Sequence, residues 1–399
     1  MKKEKTLQNL VLIIYLIFNI YYSYRYIFKY NSEGTSPTYS NTPWQFQIAK
    51  YIIAILFIFV ILMYLLINRV TIKIGFVEIF LALGAVFILA KSLLHFNFDF
   101  LIKNYIFILP AYAIMFVKDE NFKNRFIKLN KYILYYHILY SFIQILMYLI
   151  FDRLPALAYA GALVRFGGAW DDPNAFALYL ILPIGYLICR ILQDDLSKIG
   201  YVKHYALLII CLLLEILTFS FSGYLCLALA MIFIIVRYYK SNLLWINVFV
   251  AVLILSVAGL LIYDKIFNLI IEKSESLGEH LEQMLLKVTA DNFVLGLFFG
   301  DSVYNTMESY YAAIFSGYGI LYFLLVICLE IYLFYISYTV YKKNHDNILY
   351  FLAYVFINIF NICQFALPYA LIFPVNYIYW LLIFFVLKEY REMGLKKYE

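Results

Sequence analysis

The stretch AKYIIAILFIFVILMYLLI, residues 49–67, decides the fold class of this chain. Its only charged residue is Lys50, one position from its start. At 1.5 Å per residue, a helix of this length spans about 30 Å, which is the thickness of the hydrocarbon core of a bilayer. The stretch therefore predicts a membrane-spanning α-helix.

Similar apolar stretches recur along all 399 residues of the chain. Hydrophobic residues make up 65% of the sequence, charged residues only 14%, and the mean hydropathy is +0.83. A soluble domain needs more polar surface than this, and the ten-residue alternation of an outer-membrane barrel is missing. We expect an all-α, polytopic integral membrane protein with one transmembrane domain over residues 1–399.

About twelve spans are predicted. They lie approximately at residues 10–28, 49–67, 74–90, 102–117, 132–151, 174–190, 204–219, 222–237, 243–262, 308–340, 348–365 and 368–387. The first span lacks a small-residue cleavage site, so it is expected to be retained. A large loop, residues 263–304, separates the ninth span from the tenth.

Basic residues predict the orientation of the chain. Most of the 31 lysines and arginines fall into segments on the same side as the amino terminus. The positive-inside rule then places both termini in the cytoplasm and the 263–304 loop outside. The net charge of +6 reflects this topology and contact with membrane lipid, so no nucleic acid is expected as a partner.

Cysteines, histidines and glycines give no sign of a cofactor. The five cysteines lie in apolar segments without CxxC spacing, which predicts unpaired core thiols. The five histidines form no HxxxH pair, so no metal is expected. The cytoplasmic loops lack a glycine-rich phosphate-binding motif, which argues against a nucleotide.

The stretch RFGGAWDDPNAFALYL, residues 165–180, is unusually polar for this chain. Asp172 is predicted to cap a helix in which Pro173 takes the first position, and this alone could account for the motif. That interpretation leaves Arg165 and Asp171 without a role.

Arginines on the outer side are candidate ligands for phosphate. Arg165 and Arg153 are the arginines of the later outer segments, and a guanidinium can bind phosphate or pyrophosphate through two parallel hydrogen bonds. Contact with a lipid headgroup is the alternative for each.

The outer loop contains SLGEHLEQMLLKV, residues 276–288, which predicts an amphipathic helix over the outer mouth of the bundle. His280 could act as a general base or donate to a phosphate, although a solvated histidine would look the same. Lys273 and Lys287 are weaker candidates for phosphate binding.

The start of the tenth span supplies another candidate base. Glu308 could deprotonate a sugar hydroxyl, but the helix dipole alone would favour a carboxylate there. Tyr310 and Tyr311 could stack on a sugar ring.

Ionisable residues within the apolar segments are costly to bury and are therefore functional candidates. They are Glu78, His137, Glu215 and Glu330. Glu215 is the most interesting because it precedes the hydroxyl-rich turn at residues 218–222, near the expected site. Polar contacts between helices are the alternative for the other three.

The order of these elements resembles the superfamily of O-antigen polymerases and O-antigen ligases, in particular the Wzy-type polymerases of bacterial surface polysaccharides. An RxxGxxxDPN-like motif is matched by Arg165, Gly168, Asp172, Pro173 and Asn174, and a TxS turn by Thr218, Phe219 and Ser220. A large outer loop then precedes ESYYAAIFSGYGILYF, residues 308–323. Where the family commonly has arginine after the serine, this chain has Phe221.

The resemblance implies a GT-C-like, inverting glycosyltransferase of the bacterial inner membrane, without metal or cofactor. Its donor and acceptor would be glycans linked to undecaprenyl pyrophosphate, and a chain-length regulator protein would be a further partner. Arg165, helped by Arg153, Lys273 and Lys287, would bind the pyrophosphate, and Glu308 or His280 would be the base. The expected substrate-binding residues are Asp171, Asp172, Asn174, Tyr310, Tyr311 and Glu215.

The sequence is also compatible with two other functions. An O-antigen ligase would use the same chemistry with lipid A-core as the acceptor, and the family's ligases usually show a histidine near the position of Glu308. A polysaccharide-unit flippase can have a similar number of spans, but two related halves and a charged midplane cavity would be expected.

Overall fold

The computed structural model describes residues 2–24, 44–70, 74–117, 121–151, 158–160, 163–170, 172–193, 196–242, 244–245, 298, 300, 309–365, 367 and 369–395. The loop predicted at 263–304, with its amphipathic helix, lies almost entirely outside these residues, as does most of the ninth predicted span. Both stay predictions.

Helices account for most of the described chain. In order they are α1 (Lys2–Ile20), α2 (Trp44–Ile67), α3 (Phe76–His95), α4 (Asp99–Tyr105), α5 (Ile108–Tyr112), α6 (Phe122–Phe151), α7 (Pro173–Leu192), α8 (Lys198–Leu217), α9 (Phe221–Tyr238), α10 (Tyr310–Lys343), α11 (Ile348–Cys363) and α12 (Val375–Leu395). Short 3-10 turns follow at Tyr21–Tyr24, Ala113–Phe116 and Tyr369–Leu371.

Eight helical segments of the described chain are long and apolar enough to cross a membrane. They confirm a multi-pass, helical membrane protein, while the count of about twelve spans stays a prediction. Helix α7 lies at the centre, since most of its side chains are buried and it packs against α8, α9, α11 and α12.

Side-chain caps fix where several of these helices begin. Asp172 accepts a hydrogen bond from the Asn174 backbone N–H at 2.8 Å, as expected for a capping aspartate before Pro173. Ser220 accepts from the Gly223 N–H at 3.0 Å and starts α9 in the same way. The chain thus reverses between α8 and α9 within three residues.

Ion pairs gather at one end of the bundle, here called the basic end. Lys123 of α6 lies 3.3 Å from Glu389 of α12, and Arg391 of α12 lies 2.6 Å from Glu78 of α3. The turn from α10 to α11 lies at this end too, because Tyr350 at the start of α11 donates to Glu389. The end of α9 joins it there, since Arg237 donates to the His345 carbonyl. The α8–α9 turn and the start of α7 therefore lie at the opposite end.

The helical class of the fold agrees with the prediction, but three details were not predicted from the sequence. A short antiparallel hairpin pairs β1 (Ala158–Ala160) with β2 (Leu163–Arg165) before α7. The sulfur atoms of Cys226 and Cys363 are paired between α9 and α11, so the expectation of unpaired thiols was wrong for these two. Helix α10 is interrupted at Gly319, which has φ +76°.

Candidate functional site

Arg165 is the centre of a polar cluster at the end opposite the basic end. Its side chain is only 9% exposed. Nε donates to the Thr218 carbonyl at 2.9 Å, and Nη2 donates to Asn174 Oδ1 at 2.5 Å. The guanidinium is thus held between the α8–α9 turn and the first turn of α7.

This buried charge has no carboxylate partner within ion-pair distance in the described part of the chain, and Nη1 forms no hydrogen bond there. Asp172 is near enough to act on Arg165 electrostatically, but its carboxylate caps α7. Burial lowers the pKa of Arg165 below its usual value, and Asp172 opposes this shift. A buried guanidinium without an ion pair is costly, and an anionic ligand would remove that cost.

Hydroxyl groups extend the cluster across the bundle. Ser220 Oγ donates to Asn174 Oδ1 at 2.8 Å and lies 3.1 Å from Ser222 Oγ. Ser222 Oγ lies 2.9 Å from the hydroxyl of Tyr369, which precedes α12. We call these five residues, Arg165, Asn174, Ser220, Ser222 and Tyr369, the arginine network.

The α8–α9 turn has the backbone conformation that this geometry needs. Phe219 adopts φ +44°, a left-handed value that is uncommon outside glycine. The Thr218 hydroxyl donates to the Glu215 carbonyl at 2.7 Å and accepts from the Ser220 N–H at 3.3 Å. The tight turn leaves the Thr218 carbonyl directed at Arg165. Strain of this kind is often found at functional sites.

The loop after Arg165 is anchored to three helices. The Phe166 N–H donates to the Leu217 carbonyl at 3.0 Å, and the Trp170 indole donates to the Asn19 carbonyl at 3.0 Å. The Ala169 N–H donates to His137 Nδ1 at 3.4 Å. Gly168 has φ +58°, and a Cβ there would lie 2.6 Å from the Phe176 ring. These contacts hold the loop that follows Arg165 against the helices, and they thereby limit the positions that Arg165 can take.

Glu215 lies close to the arginine network, within the membrane-spanning part of α8. Its side chain is buried, and neither carboxyl oxygen has a hydrogen-bond partner among the described residues. One oxygen would lie 2.8 Å from a Cβ added to Gly223, which follows Ser222. The glycine thus leaves room for this carboxyl group at the start of α9.

The structure brings together several of the residues predicted to form the site. Arg165, Asp172 and Asn174 meet at the start of α7, and Glu215 is one turn from Thr218. Sequence reasoning missed Tyr369 and the role of Asn174 as the direct partner of Arg165. Hydroxyl and amide side chains are common in any sequence, so the sequence alone gave little reason to assign these contacts to Tyr369 and Asn174.

Tyr310 and Tyr311 occupy buried positions at the start of α10. The Tyr310 hydroxyl donates to Asn104 Oδ1 at 3.2 Å, and the Tyr311 hydroxyl donates to Glu330 Oε2 at 2.6 Å. Their side chains are 5% and 3% exposed. Contact with a sugar ring would require these groups to move.

Six of the predicted site residues lie outside the described part of the chain. They are Arg153, Asp171, Lys273, His280, Lys287 and Glu308.

The remaining ionisable residues of the apolar segments have structural partners. Glu78 lies 2.6 Å from Arg391, and its carboxylate accepts a hydrogen bond from the Gly75 backbone N–H at 3.0 Å, at the start of α3. His137 is enclosed by the rings of Trp170, Phe176 and Tyr179, with centroids 5.2–5.8 Å away. These contacts favour roles in packing.

Comparison with known proteins adds no family to this description. No family model and no curated protein sequence matches the chain.

Proposed function

We propose that the protein is a membrane glycosyltransferase that polymerises undecaprenyl-pyrophosphate-linked oligosaccharide units on the outer face of the bacterial cytoplasmic membrane. The observation that carries this proposal is the buried Arg165 guanidinium, which is held at Nε and Nη2 but has no carboxylate partner among the described residues. Such a group suits an anionic ligand that arrives with the substrate.

The charge distribution supports the orientation that this function requires. Lys123, Arg237 and Arg391 lie at the basic end, which the positive-inside rule assigns to the cytoplasm. In this proposed orientation the arginine network lies at the periplasmic end of the bundle, where the pyrophosphate of a lipid-linked glycan would bind.

In the proposed reaction, a hydroxyl of the acceptor sugar attacks the anomeric carbon of the donor glycan. The bond from that carbon to the pyrophosphate oxygen breaks, and the stereochemistry inverts. Negative charge develops on the leaving pyrophosphate, and Arg165 stabilises it through Nη1 and Nη2. Asn174 and Ser220 keep the guanidinium in place.

The acceptor proton requires a general base. Glu308 and His280 are the candidates from the sequence, and both lie outside the described residues. The proposal includes no metal or cofactor, and it admits a chain-length regulator protein as a partner.

Reconstitution in liposomes tests this function. The purified protein is supplied with one undecaprenyl-pyrophosphate-linked repeat unit, and the products are separated on a gel. We expect a ladder of polymer for the native chain and for the control variant Arg190→Ala, which removes an arginine near the basic end. Arg165→Ala should lower the rate at least about 100-fold, since one donor to a developing oxyanion contributes that much.

Other outcomes would replace the proposal. Transfer only when lipid A-core is added would identify a ligase, and a labelled unit that crosses the bilayer unchanged would identify a flippase. A native-like ladder from Arg165→Ala would remove the arginine network from the mechanism.

A further inference from the structure

A large apolar cavity lies between α6, α7 and α8, away from the arginine network. Its volume is about 690 Å³, and α11 and α12 close its far side. Leu134, Leu182, Leu207 and Leu352 contribute to its walls. This volume is in the range of cavities that bind small ligands.

Cationic groups line the part of the cavity nearest to the basic end. Lys128 and Lys131 come from α6, and Lys203 and His204 come from α8. The three lysine side chains are exposed, and no aspartate or glutamate is found among the described residues that line the cavity. The cavity thus combines a cationic mouth with a hydrocarbon-like interior.

Exposed residues of α6 and α8 lie at and beside the mouth of the cavity. Tyr135 on α6, which lines the cavity, is 40% exposed, and Val202 on α8, beside Lys203, is 69% exposed. A molecule can therefore enter sideways from the lipid phase with its chain in the cavity and its headgroup at the lysines.

We propose that this cavity binds an anionic glycerophospholipid of the leaflet at the basic end. The phosphate lies among Lys128, Lys131 and Lys203, and an acyl chain extends along the leucine-lined interior. A basic pocket between transmembrane helices is a known form of anionic lipid site, and the three positive charges favour an anionic headgroup over a zwitterionic one. This inference does not depend on the proposed glycosyltransferase activity.

Tyr179 connects the cavity to the loop that follows Arg165. Its side chain lines the deep end, and its ring centroid lies 4.9 Å from that of Trp170. A chain that reaches Tyr179 adds packing beneath the anchored loop. Bound lipid should therefore raise the melting temperature of the protein.

The test measures lipid binding to the delipidated full chain by native mass spectrometry. Phosphatidylglycerol and phosphatidylcholine with identical acyl chains are titrated separately. Each lysine near an anionic headgroup contributes about fivefold in affinity, so phosphatidylglycerol should bind about 100-fold more tightly. The triple variant Lys128→Gln, Lys131→Gln, Lys203→Gln should lose this preference.

A matched triple variant controls for total charge. Lys240→Gln, Lys342→Gln, Lys343→Gln removes three lysines near the basic end that do not line the cavity. It should keep the native preference. If the first triple variant does not fold, Lys203→Gln alone should still lose about fivefold.

A second pair of variants tests the interior. Leu207→Trp fills the cavity and should weaken both lipids, whereas Leu213→Trp, at a 51% exposed position of the same helix, should weaken neither. Equal binding of the two lipids by the native chain would overturn the proposal, as would equal losses in both triple variants. Tighter binding of undecaprenyl phosphate than of phosphatidylglycerol would replace the phospholipid with a polyprenyl lipid.

Discussion

Asn174 is the residue that leaves the charge of Arg165 available. Its Oδ1 accepts from both Arg165 and Ser220, at 2.5 and 2.8 Å, and as an amide oxygen it carries no formal charge. Asn174→Asp keeps this acceptor but gives Arg165 a permanent ion pair. Because substrate phosphate must then compete with that pair, we expect KM for the lipid-linked donor to rise about tenfold or more.

Stability separates this effect from misfolding. An aspartate in the first turn of α7 is favoured by the helix dipole, so the melting temperature of Asn174→Asp should not fall. An unchanged KM, measured at native abundance in the membrane, would mean that the anion does not bind Arg165.

Tyr369 stabilises the arginine network through its hydroxyl group. Its hydroxyl lies 2.9 Å from Ser222 Oγ, and both groups are buried. Tyr369→Phe should lower the free energy of unfolding by about 1 kcal/mol, because Ser222 loses a partner. Tyr377→Phe is the matched control, since that buried hydroxyl has no hydrogen-bond partner in the described chain. Equal unfolding free energies for the two variants in detergent would contradict this role for Tyr369.

The sequence predicted only those parts of the arginine network that depend on residues close together in the chain. Asp172 and Pro173 marked the start of α7 correctly, because capping depends on neighbouring residues. Tyr369 stands 147 positions after Ser222, and the packing of α9 against α11, which Tyr369 follows in the chain, brings the two close. Nothing in a single sequence encodes such a contact.

At the scale of elements, the break in α10 is the feature that an apolar pattern cannot predict. Gly319 has φ +76°, and a Cβ there would lie 2.4 Å from the Phe298 carbonyl oxygen. Lys91 of α3 donates to the Gly317 and Gly300 carbonyls at 2.6 and 3.0 Å, so the carbonyl end of the first half-helix has a cationic partner. The hydropathy of residues 308–340 is uniform, and it therefore predicted one continuous helix.

Gly319→Ala tests whether the break is required. The combination of φ +76° and ψ 179° is essentially restricted to glycine and costs an L-residue about 1–3 kcal/mol, and the contact with Phe298 adds to this, so we expect a clear fall in the melting temperature. Gly394→Ala in α12 is the control, because no atom lies within 4 Å of the added Cβ. A Gly319→Ala variant as stable as Gly394→Ala would mean that α10 can run straight.

At the scale of the whole molecule, hydropathy predicted most helices well because each span satisfies its own backbone hydrogen bonds. Hydropathy does not predict how these helices are arranged around one another. The central position of α7, the hairpin before it and the Cys226–Cys363 pair all depend on which helices become neighbours. Charge, in contrast, acts on the chain as a whole, and the structure gathers Lys123, Arg237 and Arg391 at a single end.

Because these basic residues lie at one end of the bundle, the orientation of the protein in the membrane can be tested in intact cells by labelling a residue at each end. Asp99 begins α4 at the end opposite the basic end with its side chain 53% exposed, whereas Asp346 is fully exposed in the α10–α11 turn at the basic end. In a Cys328→Ser background, which removes the exposed native thiol, a membrane-impermeant maleimide should label Asp99→Cys in intact cells. Asp346→Cys should react only after the membrane is opened. The reverse pattern would place the arginine network in the cytoplasm, where a lipid-linked glycan on the outer face could not reach it.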